Sequence, residues 1–87
     1  MEEALMMIAD HYSLENQLIK LAEECAEIVV EANHSAIEVR VTDRLIDKMV
    51  DVDILIDQIR YLAGIKEYDV IETRYCKLKS RIKDIRQ

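Results

Sequence analysis

The chain has 87 residues, with no proline, one glycine, no tryptophan and no phenylalanine, and 51% of its residues are hydrophobic. A chain of this length forms one domain, residues 1–87, and a composition so poor in turn formers excludes an all-β fold. The net charge is −6, but residues 1–73 carry 6 basic and 17 acidic side chains, a net of −11, while residues 74–87 carry six basic side chains against Asp84, a net of +5.

An acidic body argues against nucleic-acid binding through the phosphates. No apolar run is long enough for a membrane span, and the start "MEEALMMIAD" is acidic where a secretory leader is basic, so a cytoplasmic location without membrane association is expected. Cys25 and Cys76 have neither metal-like nor CxxC spacing and are expected as buried free thiols.

Four helices are expected, in an all-α antiparallel bundle. The first covers about residues 2–12, with Leu5 and Ile8 on its apolar side. Ser13 caps the second, about 14–33, in which Leu18, Leu21, Ala22, Cys25, Ile28, Val29 and Ala32 share one side. Gln17, Lys20, Glu24, Glu27 and Glu31 line the opposite side, with Glu24 at the border of the apolar stripe. Residues 34–42, "HSAIEVRVT", alternate and read as a loop or extended link. Thr42 caps the third helix, about 43–63, and Gly64 ends it as a C′ glycine. The fourth, about 66–86, repeats Tyr68, Ile71, Tyr75, Leu78, Ile82 and Ile85 at three–four spacing, as a coiled-coil seam does.

The third helix is the unusual one. Leu45, Met49, Val52, Ile56, Ile59 and Ala63 form its main apolar side, and Ile46, Val50, Ile54 and Leu55 extend that character round most of the rest. Such a helix is expected to be buried, and a chain this short would need a second copy to bury it. Yet Asp47, Asp51 and Gln58 share a stripe on it, and burying a carboxylate is costly unless it is paired or metal-bound.

The spacing of the acids suggests what they could do. Glu24 and Glu27, three apart, and Asp47 and Asp51, four apart, each project from one face of a helix. Two such pairs meeting across a bundle make an oxygen-rich pocket suited to Mg²⁺, which keeps open positions for substrate phosphates. The alternative is that the glutamates form a solvated face.

The segment "ENQLIKLAEECAEIVVEA" (15–32) resembles the first motif, EExxE, of the MazG-like all-α nucleotide pyrophosphohydrolases, here Glu23-Glu24-Cys25-Ala26-Glu27. "DKMVDVDILIDQIRYL" (47–62) resembles the second motif region, ExxD followed by an apolar stretch. The resemblance implies a helical bundle assembling as a homodimer or homotetramer. It also implies cleavage of nucleoside triphosphates to the monophosphate and pyrophosphate, as in nucleotide-pool housecleaning. It places Glu24, Glu27 and Asp51 as ligands of Mg²⁺ (or Mn²⁺), with Asp47 as a neighbour able to reach in. Glu23 or Glu27 would orient or deprotonate the attacking water. Gln17, Lys48, Lys77 and Arg81 are the expected substrate contacts.

One position departs from the pattern: where ExxD has glutamate, this chain has Lys48. Its ammonium either snorkels to water or sits where a metal would, against Glu24 or Glu27. In the second case the chain is a non-catalytic helical interaction module with a decayed site.

Overall fold

The computed structural model describes residues 2–87. Four helices follow one another: α1 (Glu2–His11), α2 (Leu14–Glu38), α3 (Asp43–Leu62) and α4 (Glu67–Ile85). Among the described residues there is no strand, so the all-α expectation holds. Among the described residues, no helix is long and apolar enough to cross a membrane.

Local chemistry sets the boundaries. Ser13 Oγ accepts from the Asn16 amide and Thr42 Oγ1 from the Leu45 amide, so both expected N-caps are made. Gly64 has φ +68°, and the Ile65 amide donates to the Arg60 carbonyl while the Gly64 amide donates to that of Tyr61. That is the double bond of a Schellman cap, with the left-handed position given to glycine.

Between α2 and α3 the structure corrects the sequence reading. Residues 34–38 are not extended but continue α2, which runs to Glu38. The β-branched residues "IEVRV" suggest an extended link, yet the helix ends by the same Schellman pattern: the Arg40 amide donates to the Ser35 carbonyl and the Val39 amide to that of Ala36. Here the left-handed residue is Val39, at φ 56° and ψ 38°. Ser35 Oγ then accepts from the Thr42 amide at 3.2 Å and lies 3.2 Å from Thr42 Oγ1. The buried serine thus ties the end of α2 to the cap of α3. A β-branched residue in the left-handed region is strained by about 1–2 kcal/mol, so Val39→Gly is expected to stabilise the chain by about 0.5–1 kcal/mol in urea unfolding.

The hairpin makes α2 and α3 antiparallel neighbours, and α1 packs on α3. Tyr61 Oη donates to Asp10 at 3.0 Å, joining α1 to the end of α3. No packing of comparable extent joins α4 to another helix, and none of its residues is buried.

Burial differs from expectation in a systematic way. The residues of α2 turned inward are Gln17, Leu21, Glu24, Ile28, Glu31 and Ser35, while Leu18, Ala22, Cys25, Val29 and Ala32 are exposed. Much of the side read as wet is therefore the packing side. On α3, Val52, Leu55 and Gln58 are buried, but Ile46, Met49, Val50 and Ile54 are 40–50% exposed, so this helix is not covered all round. Both cysteines are exposed rather than buried, Cys25 because α2 turns that side outward and Cys76 because α4 lies open.

Among the described residues, only Ala9, Val52 and Leu55 form the buried apolar core. The accessible surface is 7293 Å², against about 5,300 Å² for a compact monomer of this mass. The radius of gyration is 15.7 Å, against about 12 Å for a compact chain of this length. Large apolar side chains line the outside of every helix, a surface suited to association.

Candidate functional site

The inward face of α2 places Glu24 against α3, where Lys48 and Asp51 stand one turn apart, and Glu27, exposed at the rim of that face, reaches the same lysine. The two acidic helices meet, and a cation lies between them: the ammonium of Lys48. Its Nζ is 2.5 Å from Glu27 Oε2, 3.2 Å from Glu24 Oε2 and 3.6 Å from Asp51 Oδ2. The snorkelling alternative does not apply, since the side chain is only 27% exposed and turned into the seam.

Glu24 is the centre of the cluster. Its side chain is 9% exposed, and each oxygen meets a different lysine: Oε1 lies 3.2 Å from Lys20 Nζ, one helical turn back, and Oε2 meets Lys48. A buried carboxylate without such partners would be costly. The Lys20 hydrogen bond, then that of Lys48, hold its carboxyl below the usual value of 4.5 against the opposing effect of burial. Lys48 is raised above its usual 10.5 by the bonds to Glu27 and then Glu24. Lys20 is raised in the same way by Glu24. Three carboxylates and two ammoniums share the seam, leaving one net negative charge.

The other expected site residues are distributed. Glu23 is 63% exposed in its side chain and, among the described residues, meets only Lys20, at 3.9 Å. Asp47 is exposed and lines a shallow hollow with Glu31, Asp43, Arg44 and Lys48. Gln17 is buried at the start of α2, and among the described residues its Oε1 has no hydrogen-bond partner. Lys77 and Arg81 lie with Arg60 and Arg74 along a separate hollow between the end of α3 and α4, away from the acidic seam.

Two members of the site were not anticipated as such. Lys20 precedes Glu24 by four residues, a spacing that pairs opposite charges on a helix and was legible in the sequence. Gln58, 3% exposed, lines the hollow formed by Lys20, Glu24, Asp51, Ile54 and Leu55. It shares the Asp47–Asp51 stripe, which was the available signal.

The carboxylate oxygens are the donors a hard divalent cation takes, but Lys48 Nζ already lies within 3.6 Å of all three acids. An ammonium and a divalent cation repel each other and cannot share that space, so the seam in this arrangement does not fit a metal. Among the described residues, no group of three or more His, Cys, Asp or Glu side chains is arranged to hold one. No protein-family model, no curated protein and no solved structure matches the chain.

Proposed function

We propose that this chain is a non-catalytic, self-associating helical module of MazG-like ancestry, in which Lys48 stands where the ancestral site held its metal. The single observation that supports this reading is the Lys48 ammonium centred on Glu24, Glu27 and Asp51. Glutamate at position 48 would give four carboxylates around one point. Lysine removes one negative charge and adds a positive one, so the local attraction for a divalent cation falls steeply. The excess accessible surface supports the self-association, as a homodimer or homotetramer.

A second reading is favoured by the convergence of Glu24, Glu27 and Asp51 from two helices onto one cation. In it the chain is a Mg²⁺-dependent nucleoside triphosphate pyrophosphohydrolase in cytoplasmic nucleotide-pool housecleaning, with Lys48 displaced when metal and substrate bind.

One assay separates the two. Pyrophosphate release is measured over a panel of ribo- and deoxyribonucleoside triphosphates, with and without Mg²⁺ or Mn²⁺. The native chain is expected to release none, and Lys48→Glu to gain metal-dependent release that a further Glu24→Gln change abolishes. Metal-dependent release by the native chain, lost in Glu24→Gln, would replace the first reading with the second. Inactivity of both the native chain and Lys48→Glu would leave a non-catalytic module and remove the support for its ancestry.

A further inference from the structure

α4 is a 19-residue helix with no buried residue. Most helical stability in proteins comes from packing an amphipathic face rather than from propensity. Yet one side carries Tyr68, Ile71, Tyr75, Leu78, Ile82 and Ile85, which are 46–83% exposed. These six fall at positions a and d of consecutive heptads. The flanking g positions are then Glu67, Arg74 and Arg81, and the e positions are Glu72, Lys79 and Arg86.

We propose that this stripe is the interface with a second copy of the chain, and that the two α4 helices pair antiparallel. The charges decide the direction. A parallel pair sets each g residue against the next e residue of its partner. Glu67 would then face Glu72, Arg74 would face Lys79, and Arg81 would face Arg86, so every flanking pair would be of like charge. Turning one helix round changes this. With Tyr68 level with Ile85 of the second copy, Glu67 lies beside the second copy's Arg81, and Glu72 beside its Arg86. Two-fold symmetry repeats both pairs. Arg74 then lies between the second copy's Arg74 and Arg81, and these are the like charges that remain, while Lys79 lies between its Lys79 and its Glu72.

Area supports the same occupant. The chain exposes roughly 2,000 Å² more than a compact monomer of its mass, above the about 800 Å² per partner that a standard interface takes. The charge on α4 runs from acidic Glu67, Asp69 and Glu72 at its start to basic Arg81, Lys83 and Arg86 at its end, so the stripe is complementary to itself when reversed. The inference rests on the self-association in the proposed reading and is independent of the acidic seam.

The test is disulfide trapping in the full chain with Cys25 and Cys76 replaced by serine. Two variants are made, Tyr68→Cys and Ile85→Cys, both at exposed positions, and retained helicity is checked by circular dichroism. Antiparallel pairing predicts that each variant alone gives little cross-linked dimer under mild oxidation, while an equimolar mixture gives the mixed dimer efficiently. Sedimentation of the native chain should show self-association at micromolar concentration, and Leu78→Asp should weaken it about 30-fold or more, because a carboxylate is then buried in the seam. Efficient cross-linking of either variant to itself would establish parallel pairing and overturn the proposal. A native chain that sediments as a monomer would overturn it, as would a dimer in which neither the variants nor their mixture cross-link. None of these outcomes depends on pyrophosphate release, so this proposal and the catalytic readings fail separately.

Discussion

In Lys48→Glu the melting temperature is expected to fall by about 10 °C in the presence of a chelator and to recover in millimolar Mg²⁺, whereas the native chain is expected to respond to neither. The native seam is balanced internally. Glu24, held below its usual 4.5, contributes stability that is present above that value and lost as pH falls through its folded pKa. Lys48, raised above its usual 10.5, contributes stability that is present below that value and lost as pH rises through its raised pKa. Between those limits these two groups make native stability nearly independent of pH.

Glutamate at position 48 reverses this. Four carboxylates then crowd one point, their affinity for protons rises above that of the unfolded chain, and stability increases as pH falls from about 7 to about 5. A divalent cation meets the same need at neutral pH. Thermal unfolding monitored by circular dichroism, across pH and with or without Mg²⁺, reads both effects without requiring activity. A Lys48→Glu chain whose melting temperature is the same in chelator and in Mg²⁺ would show that these side chains cannot close on a metal even when the lysine is gone.

The second large effect is in the core. Leu55→Ala is expected to cost about 2–4 kcal/mol, through lost apolar transfer and the cavity left behind. Leu55 is 8% exposed and is one of three buried apolar residues among those described, the others being Ala9 and Val52. Small domains have about 5–15 kcal/mol of stability in total, and a core this thin places the chain at the lower end, so the variant should be partly unfolded without denaturant. Urea unfolding should show a lower midpoint. By contrast Ile71→Ala, at a position 58% exposed in the single chain, should cost less than about 0.5 kcal/mol in a dilute monomer. Its effect should grow with protein concentration if α4 is covered by a second copy.

The sequence by itself determined the number and order of helices and three of their end signals, and it left open whether the two acidic segments meet or face water. Ser13 and Thr42 read as caps where they stand, and Gly64 as the residue that ends α3, and all three do so. These are local matters: a cap or a left-handed turn is chosen by a few adjacent residues, whatever lies elsewhere. The end of α2 was not legible because the residue that takes the left-handed position is valine, and only the Ser35–Thr42 tie across the turn explains why the chain closes there.

Which face of α2 packs was decided by the tertiary structure alone. Periodicity identifies the more apolar side of a helix, not the side that a neighbour covers. Here Gln17, Glu24, Glu31 and Ser35 turn inward with Leu21 and Ile28, while Val29, Val30 and Ile37 stay exposed. Glu24 can face inward because Lys20 and Lys48 meet its two oxygens, and Lys48 comes from another helix, 24 residues further along the chain. No local rule in the sequence fixes where that ammonium goes, because its position depends on how α3 lies against α2. The spacing of the carboxylates was written in the chain; the identity of the cation between them was settled by the packing of two helices.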